Sequence, residues 1–263
     1  MRRSTAFAAL RGSSLALTLL FAALVVPRLA ASEIVLVPLW YAGGGAAGSY
    51  WTTHLSVYNT GDYVEPNDRF VLPCNWTIDP CPRGFWKHKM LVYEAQDSYP
   101  GGFVMRVDNP DNLSYSLRIF EQNARFDDLG VDIPVVRERD LKTGPIQLMD
   151  IPGSDPDVFR YLLRVYAVGN APKAVVRLNG YLTMGDGSPD LIITRDLLLT
   201  PGNQGLGHYY AEDGNFIRDL IIATAGMGQL RVEVEPMTPN LRWWGLMSAT
   251  NNETNDVTIV TPN

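Results

Sequence analysis

Lysine, cysteine and histidine are all scarce in this chain: among 263 residues there are four lysines, two cysteines and three histidines. Each scarcity excludes something. With so few lysines and a formal net charge of −6, no clustered basic surface is available for a phosphate backbone, which argues against nucleic acid as a partner. Two cysteines cannot build a disulfide-dense framework or a four-thiolate zinc site. Glycine (23) and proline (18) are too few for a collagen-like or low-complexity chain, and 46% hydrophobic residues are too many for disorder. Beyond residue 32 no apolar run reaches the roughly 20 residues of a membrane-spanning helix.

What is present begins with an address. Arg2, Arg3 and Arg11 give a basic start, Leu15 to Val26 is an apolar run, and Leu29-Ala30-Ala31-Ser32 offers small residues for a peptidase. Residues 1–32 therefore read as a secretory signal peptide, with a retained anchor the weaker alternative because Pro27 and Arg28 close the run early. Removing them takes away four arginines and no acids. The remaining chain holds 18 basic against 28 acidic groups, a net charge of −10, and the expected location is periplasmic or secreted. In that oxidising setting Cys74 and Cys81 are expected to form one local disulfide in a proline-rich loop.

From residue 33 onward the hydrophobic period is close to two, and no long stretch has a clean helical period. Trp51, Thr53, Leu55 and Val57 alternate with Thr52, His54, Ser56 and Tyr58. Leu230, Val232 and Val234 alternate with Arg231, Glu233 and Glu235, one face buried and one wet. Turn-rich segments separate these short strands, so helices are expected only as single turns in loops, and the class is all-β with antiparallel sandwiches.

The two halves can be laid over each other. Trp51 to Asn59 matches Phe159 to Ala167, with Leu55/Leu163, Val57/Val165 and Tyr58/Tyr166 identical. Asn112 to Pro134 matches Asn240 to Pro262, with Asn112/Asn240, Leu113/Leu241, Asn123/Asn251, Asp128/Asp256 and Pro134/Pro262 identical. The expectation is an internal duplication: two tandem immunoglobulin-like antiparallel β-sandwich domains, 33–136 and 145–263, joined by residues 137–144 as a linker or long exposed connection. Val35-Leu36-Val37-Pro38-Leu39 with its glycine-rich loop, the Trp51 to Asn59 strand, and Gly245 to Thr258 together resemble a group of uncharacterised secreted bacterial proteins. That resemblance implies paired immunoglobulin-like sandwich halves and export. It implies no activity, and the middle of the chain, including the cysteine loop, departs from it.

Motifs for chemistry are thin. Gly43-Gly44-Gly45-Ala46-Ala47-Gly48 formally satisfies a dinucleotide fingerprint, but the residues after it alternate as a strand, whereas a pyrophosphate site needs a helix start. Asp186, Ser188 and Asp190 sit at the first spacings of a calcium loop, yet Leu191 and Leu197 stand where the turn glycine and the bidentate acid belong. A weak calcium site in the acidic loops stays open as an alternative to plain turns; no metal site and no cofactor are expected. There is no Gly-x-Ser-x-Gly elbow, and His54 falls on a wet strand face. His208-Tyr209-Tyr210-Ala211-Glu212-Asp213 reads as a loop, and it is the one place where histidine, tyrosine and acids crowd together.

Aromatic residues are the better binding candidates. In the aligned copies Trp243 lies in the core register, so Trp244 should point outward and need a partner: the other domain, a sugar ring or a protein. Trp40, Tyr41 and Tyr50 around the glycine loop are the other candidates, with Tyr209 and Tyr210 behind them. The expected function is a non-catalytic structural or interaction module contacting a protein or cell-envelope partner, with a carbohydrate-binding module and an extracellular hydrolase built on His208 as alternatives.

Overall fold

The computed structural model describes residues 32–45, 48–61, 88, 90–99, 101–108, 110–122, 130–151, 155–184, 189–202 and 207–262. Residues 1–31 of the expected signal peptide, Cys74, Cys81 and the Asp186/Ser188 turn lie outside the described residues. The fold is all-β with antiparallel pairing throughout the named strands.

In the first half, β1 (Ser32–Val37) lies between β5 (Phe103–Asp108) and β8 (Val136–Arg137). A second sheet centres on β3 (Tyr50–Asn59), which pairs along one edge with β2 (Ala42–Gly44) and then β4 (Met90–Glu94). Along its other edge β3 pairs with β6 (Leu113–Glu121), which in turn carries β7 (Val131–Ile133). The alternation expected along β3 holds at its centre, where Leu55 and Val57 are fully buried and Tyr58 is exposed. In β1 and β5 the alternation is absent because Val35, Leu36, Val37, Phe103, Val104 and Met105 are all buried; such continuous apolar runs mark strands covered on both faces.

The second half is one eight-stranded sheet in the order β16-β15-β10-β13-β12-β11-β14-β9. Its members are β9 (Ile146–Leu148), β10 (Phe159–Val168), β11 (Ala174–Thr183), β12 (Pro189–Pro201), β13 (His208–Asp213), β14 (Gln229–Pro236), β15 (Arg242–Asn251) and β16 (Val257–Val260). β12 links two parts. Most of it pairs with β11, and only Thr200 and Pro201 pair with β13. The sheet thereby folds over a core formed by Leu163, Val165, Trp243 and Met247 from one part and Leu148, Val176, Leu178 and Val234 from the other. Leu230, Val232 and Val234 are buried and Arg231, Glu233 and Glu235 half-buried, as the alternation in β14 demands.

The expectation of single helical turns is corrected by α1 (Phe216–Thr224). Its buried residues Phe216, Ile217, Leu220, Ile221 and Thr224 follow helical spacing over only nine residues, shorter than the stretch needed for a clear periodic signal. The Asp213 carboxylate accepts hydrogen bonds from the Asn215 and Phe216 amides, each at 2.8 Å. Those are amides with no helical partner of their own. Ala225, at φ 51°, ends the helix in the left-handed conformation, followed by Gly226 at φ 68°. Among the described residues no helix is long and apolar enough to cross a membrane.

The halves meet across a shared hydrophobic cluster. Val35, Leu36, Phe103, Leu117 and Ile133 of the first half belong to the same buried group as Tyr166, Val168, Trp244 and Leu246 of the second. Residues 137–144, expected as a linker or exposed connection, form a strap tied to both sides. Arg137 pairs with Glu33 and, at 2.7 Å, with Asp111. Arg137 beside Asp111 holds that carboxyl below the usual carboxylate range. Glu138 accepts the Ile34 amide at 2.9 Å and pairs with Arg242 at 3.0 Å. Leu141 is buried, and Lys142 exchanges two backbone hydrogen bonds with Trp243 at 2.8 and 2.7 Å.

Candidate functional site: the cleft between the halves

Successive residues of a strand face opposite ways, so β10 and β15 each present one set of side chains to the inner core and another to the first half. The outward set forms cross-strand rows: Tyr166 beside Trp244 and Tyr210, Arg164 beside Leu246 and Glu212, Leu162 beside Ser248, and Arg160 beside Thr250. β16 extends two of these rows, Ile259 beside Ser248 and Val257 beside Thr250.

At one end the outward face is sealed. Trp244 leaves the sheet opposite Trp243, as expected, but it is only 5% exposed and packs against the Tyr166 ring at 5.9 Å. The Tyr166 hydroxyl donates to the Pro38 carbonyl, and burial pushes its pKa up. Gly101, in the turn before β5, lies against the Tyr210 ring: a β-carbon there would sit 2.2 Å from a ring carbon. Gly102, at φ 61°, backs onto the Val37 carbonyl, which leaves no room for any side chain.

His208 belongs to this sealed end. The expected loop is instead strand β13, and His208 is 3% exposed, stacked on Tyr166 at 6.2 Å and near Tyr210 at 6.4 Å. Neither ring nitrogen has a hydrogen-bond partner among the described residues. Burial lowers its pKa to about 4, so the ring is neutral at physiological pH. The acids that follow it turn elsewhere: Glu212 pairs with Arg164 at 2.7 Å, and Asp213 caps α1 and pairs with Arg195 at 2.7 Å. The base and acid that the hydrolase alternative requires are not within hydrogen-bond reach of each other.

At the other end the same face opens into a cleft of about 380 Å³, within the range of small-molecule sites, roughly 300–1,000 Å³. The second half contributes Leu162, Leu246, Ile259 and Val257, and the first half contributes Leu39, Ile119, Ile133, Tyr41 and Trp51. Two cations reach it. Arg164 is neutralised by Glu212. Arg160 is not: its hydrogen-bond partner among the described residues is the neutral Asn255 side chain, at 3.4 Å.

The expected binding aromatics fall in different environments. Trp40 is 4% exposed and packs edge-on against Phe103 at 5.6 Å, inside the first half. Trp244 is under the other half. Tyr41 lines the cleft, with its hydroxyl donating to the Gly44 carbonyl at 2.8 Å. Tyr50 is 40% exposed on β3. Tyr209 is buried and donates to the Ala171 carbonyl. The glycine run holds β2, paired with β3, where a dinucleotide site would start a helix. Trp51, Arg160 and Leu162 were not among the expected site residues. Their signal lay in Leu162-Leu163 on β10 and in Trp243-Trp244-Gly245-Leu246-Met247 on β15, apolar runs too continuous for a sheet with one wet face.

No protein-family model and no curated protein matches the chain. Two solved structures are similar over 89% of its length. One is the T13 viral particle of IBDV, at 10% identity, 70% of that chain and a TM-score of 0.21. The other is the Gt strain of infectious bursal disease virus, at 9% identity, 72% of that chain and a TM-score of 0.20.

Proposed function

We propose that this chain is an exported, non-catalytic binding module in which two related immunoglobulin-like sandwich halves, locked through one shared core, hold a ligand in the cleft between them. The observation that carries it is the cleft itself, a concave, largely apolar space framed by both halves and lined by Arg160, whose hydrogen-bond partner among the described residues is a neutral side chain. The basic start and apolar run before residue 32 support export to the periplasm or beyond, where Cys74 and Cys81 would staple their loop.

Matching pairings support an origin by duplication. In the first half β1 pairs with β5, β3 with β4 and β6, and β6 with β7. In the second, β9 pairs with β14, β10 with β13 and β15, and β15 with β16. A cell-envelope component is the class of ligand that such a location would supply. The sugar-platform alternative loses Trp40 and Trp244 to burial and retains Tyr41 and Tyr50.

The test is a thermal-shift survey of the chain against oligosaccharides, peptides and lipids, run beside Ser248→Trp, which fills the cleft floor. Ligands that stabilise the parent and leave the variant unmoved support the reading. Stabilisation that survives in the variant places binding elsewhere and overturns it, as does a survey without any response.

A further inference from the structure

Resting on that reading, we propose that the cleft takes an anionic amphiphile, a fatty acid whose acyl chain lies along the Leu162–Ile259–Leu246 floor and whose carboxylate meets Arg160. The lining decides the chemistry. Leu39, Ile119, Ile133, Leu162, Leu246 and Ile259 are branched aliphatic side chains, which suit a flexible hydrocarbon. A sugar ring would use the flat faces of Tyr41 and Trp51 but also needs several paired hydroxyls, whereas most of the described lining side chains are apolar.

Charge selects the head group. The chain is acidic overall, with 28 acidic against 22 basic residues, yet among the described residues lining the cleft the charged ones are arginines, Arg160 and Arg164. Glu212 already satisfies Arg164, so among the described residues Arg160 is the guanidinium with capacity left for a carboxylate. Arginine is suited to this because its planar fork can meet both carboxylate oxygens. The rows from Arg160 to Arg164 span four residues of β10, about 13 Å of floor at the rise of a strand, so head and tail can be read together.

Isothermal titration at submillimolar ligand would test this with octanoate, decanoate and dodecanoate, and with butyrate, dodecanol and dodecyltrimethylammonium as controls. Affinity should rise roughly three- to fourfold for each added CH₂ until the cleft is filled. Butyrate should not register, and dodecanol and the cationic amphiphile should bind at least tenfold more weakly than dodecanoate. Arg160→Gln should cost dodecanoate about tenfold and leave dodecanol unchanged. Ser248→Trp, and independently Ile119→Trp, should abolish both.

Equal binding of dodecanoate and dodecanol, or indifference of dodecanoate to Arg160→Gln, overturns the anionic assignment while the cleft-binding reading stands. Dodecanoate binding that both tryptophan variants retain overturns the location. If the parent binds none of the amphiphiles, the amphiphile class is overturned. The thermal-shift survey then separates a cleft with a different ligand from a chain that binds nothing there.

Discussion

His208 offers a measurement in which a single buried ring should set the pH dependence of stability. It is 3% exposed, its nitrogens lack partners among the described residues, and burial lowers its pKa from 6.5 to about 4. In the unfolded chain the ring takes a proton as pH falls through about 6.5; in the folded protein it stays neutral down to about 4. Between those values the unfolded state binds more protons, so stability falls as the pH is lowered, and His208 contributes no slope above or below that window. At about 1.4 kcal/mol per pKa unit, the His208 contribution should fall by about 1 kcal/mol between pH 7 and 5.5, and by roughly 2–3 kcal/mol by pH 4.5. The assay is urea unfolding at these three pH values, for the parent and for His208→Phe, which keeps a ring on Tyr166 and loses no hydrogen bond to the described residues. Carboxylates and the other histidines titrate in both proteins and cancel in the difference. The parent should lose stability relative to the variant by those amounts. Parallel curves, with the difference constant to within a few tenths of a kcal/mol, would show that the ring is not held neutral in the fold and would refute the reasoning.

Three further outcomes follow from the seam and from the helix. Trp244→Ala should destabilise by about 3–5 kcal/mol, the cost of emptying a buried aromatic site, whereas an exposed tryptophan would show under 1 kcal/mol in the same urea titration. Tyr166→Phe should cost about 1–3 kcal/mol by stranding the Pro38 carbonyl, and its coupling to Gly101→Ala, measured by a double-mutant cycle, should be non-zero because both act on the Tyr210–Tyr166 end of the same interface. Asp213→Ala removes two amide acceptors at the start of α1 and the partner of Arg195; it should cost roughly 1–3 kcal/mol in thermal unfolding, with Asp213→Asn recovering part of the loss.

The all-β class was legible because a strand with one wet face writes its burial into every second residue. Leu230-Arg231-Val232-Glu233-Val234 is such a strand, and its inner residues are buried as the pattern requires. The helix was not legible. Phe216 to Thr224 spans two and a half turns, and the cue at its start is Asp213, whose cap becomes visible only when its oxygen is seen two and three residues away on the Asn215 and Phe216 amides. His208, expected in a loop, opens strand β13, and Gly202, Gly205 and Gly207 precede it. Glycine next to a strand looks like a break, although Gly202 is there because a β-carbon would sit 2.3 Å from the His208 ring.

The candidate site was legible in its parts and hidden in its sum, for a reason of side-chain size. Alternation correctly sends Trp244 outward, but no periodicity says what lies beyond an outward residue; a second sheet and open water leave the same mark on the strand. The distinguishing signal is the sequence of sizes along the outward face of β10 and β15. Tyr166, Trp244 and Tyr210 are large and, with Gly101 yielding space to the Tyr210 ring, close the interval between the halves. A few residues along, Leu162, Ser248 and Thr250 are too small to reach across. The first half still presents Leu39, Ile119 and Trp51 there, so the interval stays open. The cleft is therefore where one continuous interface runs from large residues to small ones, and substitutions that enlarge Ser248 or Thr250 extend the sealed end into it.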